Sequence, residues 1–277
     1  VASLDPAFLA GGSLWITGCG NMGRAMLDRW LACGFDPASV TVIDPALPAI
    51  GQGVKVLAAP DADSPSPTMV LLAVKPQMLD AAANMIAARL GPDTLLISIL
   101  AGVTINALRT RFSAPVAIAR AMPNLPVAVG AGVVALYGLA DQPESVAQLE
   151  TLMRPLGVVE WLEEEEHFDA VTALSGSGPA FVARFVEAMA VGGAKLGLPP
   201  AQAARMALAT VGGTASLLDQ TDEDPAAMAR RVTSPNGTTQ AGLAVLDENG
   251  LFGTRVAATL EAAARRSAEL NPPAEAQ

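Results

Sequence analysis

The sequence predicts an α/β chain in two parts, a doubly wound and mainly parallel sheet over residues 1–166 and an all-helical domain over 167–277. Three observations carry that expectation. Short apolar bursts alternate with helical patterns through the first half. A glycine-rich loop, Gly18-Cys19-Gly20-Asn21-Met22-Gly23, joins the first burst to the first helical pattern. After the acidic run at 163–166, no convincing strand pattern returns.

Taken in order, residues 14–17 are the first burst, and a helix over 21–33 follows the glycine loop. Residues 40–43, 54–57 and 69–74 read as strands, and apolar spacing of three and four marks a helix over 77–90. A strand over 94–99 precedes a helix over 105–111. Strands over 116–119 and 133–137, a helix over 144–154 and a strand over 158–162 complete the half. Alternation of this kind lays helices on both faces of a parallel sheet.

Helices are expected in the second half over 168–173, 180–196, 200–218, 226–232, from Asn236 onward, and over 254–269. Leu198-Pro199-Pro200 ends one helix and starts the next. There is no internal repeat, and the tail 271–277 reads as disordered.

The composition suits this division. A chain of 277 residues with 51% apolar residues favours two cores over one. With aromatics at only 4%, Ala, Val and Leu must fill them, which favours close helix association, including between subunits. A net charge of −10 argues against nucleic acid or an anionic membrane surface as a partner. Cys19 and Cys33 form neither a disulfide framework nor a metal-ligand pattern. No apolar run approaches the roughly 20 residues that span a bilayer, and the start lacks the order of a signal peptide, so a cytoplasmic setting is expected.

Strand, glycine loop and helix in succession form a dinucleotide-binding fingerprint of the Rossmann-like type. Gly18 and Gly20 let the backbone approach a pyrophosphate, Gly23 allows close helix packing, and the helix N-terminus supplies positive potential. Asp44 ends the second strand, where an acid accepts from both ribose hydroxyls of NAD and repels a 2′-phosphate. The next basic residue is Lys55, so the sequence leans towards NADH. The alternative is that Asp44 caps the turn before Pro45.

Val74, Lys75 and Pro76 leave the fourth strand at the end of the sheet that faces the cofactor crevice. We read Lys75 as solvated, with a part beside the cofactor as the alternative. The segments 98–103 (SILAGV, with Ala101) and 120–126 (RAMPNLP) leave later strands in the same way. Within the second, Asn124 is placed to address the nicotinamide carboxamide or the substrate, or else to shape a turn.

In the helical half, Ser234-Pro235-Asn236-Gly237-Thr238-Thr239 reads as a helix start, with Ser234 as cap and Pro235 in the first turn. The amides of Gly237 and Thr238 would then face a carboxylate-sized anion. A cofactor loop together with an anion site suggests a reductase. The only histidine, His167, is read as structural, and no metal site or Ser-His-Asp set assembles. Tyr137, the one tyrosine, has no lysine beside it in sequence. Carbonyl reduction wants a stronger acid than a hydroxyl, whereas an imine that arrives protonated needs orientation and one hydrogen bond. Thr239 suits that task. The break Ser175-Gly176-Ser177-Gly178-Pro179 either lines the substrate pocket or helps two subunits interlock. Cys19 is read as an inert loop residue despite its place near a helix tip.

These segments in this order resemble the pyrroline-5-carboxylate reductases over nearly the whole chain. The resemblance rests on GCGNMG at 18–23, VKPQ at 74–77, SILAGV at 98–103, RAMPNLP at 120–126, SGSGPAF at 175–181, and TSPNGTT with Gly242 and Leu243 at 233–243. It implies NADP(H)- or NAD(H)-dependent reduction of 1-pyrroline-5-carboxylate to proline. It also implies that Ser234 and the amides of Gly237 and Thr238 hold the substrate carboxylate, with Thr239 on the ring nitrogen. An interlocked homodimer, often assembled into a decamer, is implied as well. The chain departs from the family pattern in three places. Asn236 stands where Gly is more usual, Asp44 without a basic neighbour sits poorly with the family's common use of NADPH, and the first dozen residues extend beyond the usual start. Two other readings stand beside this one: a hydroxyacid dehydrogenase with Lys195 as its only candidate lysine, and a cofactor-bound sensor without turnover.

Overall fold

A computed structural model of the chain describes residues 12–270, apart from 52, 62, 116 and 140. The expectations for residues 1–11 and for the tail 271–277 fall outside it. The described residues form two compact units, one of residues up to Gly176 together with those from Ala264 onward, the other Ser177–Ala263.

The first unit carries a single eight-stranded sheet. Its strands are β1 (Leu14–Thr17), β2 (Val40–Ile43), β3 (Lys55–Leu57), β4 (Met69–Leu72), β5 (Leu95–Ser98), β6 (Ile118–Pro123), β7 (Gly132–Gly138) and β8 (Gly157–Trp161). The order is β3-β2-β1-β4-β5-β6-β7-β8, with only the β6/β7 pair antiparallel. Its first six strands follow the doubly wound order, with the reversal between β1 and β4. The expected fold class is therefore the observed one.

Helices α1 (Asn21–Ala32), α2 (Leu79–Ile86), α3 (Ile105–Arg109) and α4 (Pro143–Met153) cover the sheet. One face packs Leu14, Ile16, Val40 and Val42 against Met26, Leu27 and Trp30 of α1 and Leu149 and Leu152 of α4. The indole N–H of fully buried Trp30 donates to the Leu152 carbonyl at 2.7 Å, so its one polar atom is satisfied. On the other face Trp15, Ile43, Val70 and Leu72 pack against Leu79, Ala83 and Ile86 of α2 and Leu108 of α3. Alternate residues of β1 thus serve opposite faces, as the pleat requires.

Element ends shift from expectation at several places, and two of the shifts are instructive. The sixth strand runs on to Pro123 through Arg120, a charge that reads as a strand end in sequence but is paired inside the fold. The expected helix over 77–90 is interrupted at both ends by 3-10 turns, Pro76–Met78 and Ala87–Arg89. Beyond β8, α5 (Phe168–Val171) passes into a π-helical turn, Thr172–Gly176.

The second unit is built from α6 (Gly178–Lys195), α7 (Pro200–Thr221), α8 (Pro225–Arg231), α9 (Thr238–Leu246) and most of α10 (Leu251–Leu270). Leu198 N–H donates to Gly193 O at 3.2 Å and Gly197 N–H to Ala194 O at 3.0 Å, with Gly197 at φ 102°. That is a Schellman stop for α6, and Pro200 opens α7 where its missing N–H costs nothing. Only Ala203 and Ala207 of these helices are buried, while Phe185, Val191, Leu208 and Phe252 are exposed. The last turns of α10 return to the first unit, where Ser267 Oγ donates to Asp169 at 2.7 Å.

Candidate active site

The three loop glycines answer three separate needs. Gly18 takes φ 84°, and a Cβ there would lie 2.7 Å from Val74 Cγ1 and 3.0 Å from the Ala73 carbonyl, so it makes the tight turn. A Cβ on Gly23 would stand 3.1 Å from Ala73 Cβ and 3.1 Å from Gly18 O, so it lets α1 press on the exit of β4. Nothing lies within 4 Å of a Cβ built on Gly20, the N-cap of α1. Open space over Gly20, the first-turn amides of α1 and the absence of any acid in that turn make a cradle that fits a pyrophosphate. The open space therefore lies over Gly20, and the tight turn is made at Gly18.

Val74, Lys75 and Pro76 follow β4, and Ala101 lies exposed in the turn after β5. Because β1, β4 and β5 are neighbours, their exits share the rim that holds the glycine loop. Lys75 is exposed at the head of the 3-10 turn that Pro76 opens.

Asp44 has both carboxylate oxygens engaged. One accepts the Cys19 N–H at 2.8 Å, tying β2 to the glycine loop, and the other accepts the Ala46 N–H at 2.9 Å. Asp44 thus caps the turn, and each of its oxygens keeps a further lone pair for a ribose hydroxyl. The absence of a basic neighbour is corrected, because Arg24 of α1 reaches the same loop and donates through Nη1 to Ala49 O at 3.0 Å. Sequence order hid this, since Arg24 precedes Ala49 by 25 residues. The Cys19 thiol is pushed above its ordinary value by burial, a rise that Arg24 opposes and Asp44 and Asp28 reinforce. An inert loop cysteine is the reading this environment supports.

Asn124 is nearly buried, and its carboxamide is committed inside the first unit. Its Nδ2 donates to Ser175 O at 3.0 Å, and its Oδ1 accepts the Val133 N–H at 2.8 Å. These bonds supply the geometry of the turn-shaping alternative, and they use one of the amide's two N–H donors. The same bond assigns the backbone of the 175–179 break at Ser175 a structural task.

Sequence reasoning missed one further group. Arg120, with a side chain 7% exposed, pairs with Glu165 at 2.9 Å and lies 4.0 Å from the centre of the Phe168 ring. Burial pulls its pKa down, and Glu165 works against that by favouring the charged form. The signal was available, because a charge inside an apolar strand demands a partner.

In the second unit the segment 234–239 differs in detail from a Ser-capped helix. Ser234-Pro235-Asn236-Gly237 is a turn closed by Gly237 N–H to Ser234 O at 3.0 Å, with Asn236 at φ 59°. Pro at the second position and a positive φ at the third are what such a turn takes, and Asn tolerates that φ better than other side-chain-bearing residues. Asn236 therefore serves where glycine is more usual. The N-cap of α9 is Gly237, not Ser234, and Gln240 Oε1 accepts the Asn236 N–H at 2.6 Å. Since the Gly237 amide closes the turn, the first-turn donors left at the tip are those of Thr238, Thr239 and Gln240. The Ser234 hydroxyl lies against the Gly237 Cα, where a Cβ would collide with it. Thr238 and Thr239 are exposed.

Elsewhere, His167 is exposed and 3.9 Å from Glu164. Among the described residues no three His, Cys, Asp or Glu side chains group as metal ligands. Lys195 sits exposed in the last turn of α6, and Tyr137 lies in β7. No described helix is long and apolar enough to cross a membrane.

Comparison with known proteins agrees across both halves. Residues 165–270 match the family model for pyrroline-5-carboxylate reductase dimerisation, and residues 14–102 match that for NADP oxidoreductase, coenzyme F420-dependent. The pyrroline-5-carboxylate reductase of Synechocystis is 41% identical over 93% of this chain and 97% of its own length. That of Pseudomonas aeruginosa is 37% identical over 91% of this chain and 94% of its own. Among solved structures, the Coxiella burnetii pyrroline-5-carboxylate reductase superposes with a TM-score of 0.85 at 29% identity, covering 94% of this chain and 99% of that one. The Plasmodium falciparum pyrroline carboxylate reductase, solved with NADP bound, gives 0.80 at 25% identity, covering 94% and 98%.

Proposed function

The chain belongs to the pyrroline-5-carboxylate reductase family, and we propose how its own residues divide that family's work. It is an NAD(P)H-dependent reductase of the cyclic imine 1-pyrroline-5-carboxylate, forming proline. The observation that carries the assignment is identity of 37% to 41% across nine-tenths of the chain, spanning both units.

Gly20, with the amides of Asn21 and Met22, holds the pyrophosphate on a loop that Gly18 turns and Gly23 packs against β4, and Asp44 faces the adenosine ribose. Val74, Lys75, Pro76 and Ala101 border the nicotinamide end. A bound reduced nicotinamide supplies the hydride. The Ser234 hydroxyl and the first-turn amides of α9, Thr238 foremost, grip the substrate carboxylate, because a helix N-terminus offers unpaired N–H groups and positive potential to an anion. Gly237 lets the chain pass close to Ser234 there. The Thr239 hydroxyl holds the proton at the ring nitrogen and so orients the imine carbon.

The functional division falls near residue 166, with residues 167–277 serving substrate binding and dimerisation. The chain forms oligomers through its dimerisation domain. Exposed Phe185, Val191, Leu208 and Phe252 support burial of that face by a second copy. Assembly of dimers into a decamer and a cytoplasmic setting, the latter resting on two unpaired cysteines, complete the proposal.

The test is NADPH or NADH oxidation by the purified chain, dependent on pyrroline carboxylate, with proline formed in equal amount. Cofactor binding without proline would instead favour the sensor reading.

A further inference from the structure

In a doubly wound nucleotide site the residue ending β2 faces the adenosine ribose, where an acid suits two hydroxyls and an arginine suits a 2′-phosphate. This chain brings both to one loop. Asp44 meets two backbone N–H groups, at 2.8 and 2.9 Å, which offset part of its charge. Arg24 stands on the first turns of α1, with Nη1 anchored on Ala49 O at 3.0 Å and Nε 2.8 Å from both oxygens of Asp28. A guanidinium has five N–H donors, so these bonds leave others to spare. With 41% of its side chain exposed, the group is open to a ligand. A cavity of about 470 Å³ lined by Cys19, Gly20, Asn21, Arg24 and Asp28 joins it to the pyrophosphate cradle.

We infer that Arg24 is the specificity residue through which this chain accepts the 2′-phosphate of NADPH, with Asp28 restraining it. The inference rests on the reading of the chain as an NAD(P)H-dependent reductase. An arginine suits the task because its planar fork binds phosphate in a bidentate manner and stays charged at any working pH. Asp28 already satisfies part of that fork and cancels part of its charge, so the pair sets NADPH affinity at an intermediate value. NADH, without the 2′-phosphate, makes no use of the fork.

The experiment is calorimetric titration of the intact protein with NADP⁺ and with NAD⁺, in the wild type, Arg24→Met and Asp28→Asn. Arg24→Met keeps an apolar stem, and a surface pair of this kind contributes at most about 1 kcal/mol to folding, so the variant folds. It should weaken NADP⁺ binding about 10- to 100-fold, the size of a lost charge-assisted contact, and change NAD⁺ binding less than about twofold. Asp28→Asn should tighten NADP⁺ binding and leave NAD⁺ unmoved. Equal losses for both cofactors in Arg24→Met, or an unchanged NADP⁺ affinity, would overturn the inference. A wild type that binds neither cofactor would overturn the reductase reading itself and this inference with it.

Discussion

The side-chain amide of Asn124 donates to the backbone carbonyl of Ser175 at 3.0 Å, across 51 residues of sequence. It ties the end of β6 to the π-helical turn that precedes α6, while Val133 satisfies the other end of the same carboxamide. A π-helical turn leaves carbonyls displaced from ordinary helical partners, and such turns recur at functional sites. Here one of them is claimed by a nearly buried side chain.

Asn124→Asp should therefore act on stability before it acts on binding. A carboxylate would face the Ser175 carbonyl with no proton to share, leaving the acceptor unpaired at a cost of about 1–3 kcal/mol. Urea unfolding should show that loss, with cofactor Kd moved less than about twofold. Unchanged stability with a tenfold weaker cofactor would return Asn124 to the binding site.

The glycine loop permits a paired test. Gly18→Ala must place a side chain at φ 84° and 2.7 Å from Val74 Cγ1, so thermal stability should fall. Gly20→Ala meets no protein atom within 4 Å and should melt within a few degrees of wild type. Its methyl would stand in the open space over the cradle, so NAD(P)H should bind at least about tenfold more weakly. Normal cofactor affinity in Gly20→Ala would move the pyrophosphate elsewhere.

Thr239→Val is isosteric and removes only the hydroxyl. If that hydroxyl holds the proton at the ring nitrogen, kcat should fall about 10²-fold, the scale of a positioned proton donor, with cofactor Kd unchanged. Wild-type kcat would remove Thr239 from the mechanism.

Cys19 supplies a pH-dependent readout. Burial raises its pKa above the ordinary 9.0, so the folded protein holds the thiol proton more tightly than the unfolded chain does. Any stability from this is present below pH 9.0 and is lost as pH rises through the folded value. Only the thiolate alkylates, so iodoacetamide should label Cys19 more slowly than a free cysteine peptide at pH 8. The rate should climb about tenfold per pH unit. Peptide mapping separates it from Cys33, which is buried. A rate at pH 8 above that of the free peptide would show that Arg24, not burial, governs the thiol.

Much of the fold is legible in order along the chain. Leu14–Thr17 and Val40–Ile43 coincide with the predicted spans, because fully buried parallel strands read as short apolar runs. The glycine loop is equally legible, since its spacing and its setting between β1 and α1 are both local. Where reading failed, a particular hydrogen-bond partner was at work, distant in one case and local in the other. The strand through Arg120 continues because Glu165, 45 residues on, receives the charge. The helix at the substrate motif starts at Thr238, because the Ser234–Gly237 turn closes on itself and Gln240 reaches back to Asn236.

The amino-acid order alone determined the doubly wound half, the helical half, the nucleotide fingerprint and the motifs that place the chain in its family. Each of these is a matter of spacing within a few residues of one chain. Only the tertiary structure decided that Asp44 grips Cys19, that Arg24 reaches Ala49, and that Asn124 binds the Ser175 carbonyl. Periodicity records which face a residue presents, whereas a hydrogen bond requires two particular atoms within about 3 Å, and that pairing exists only once the sheet and its loops are assembled.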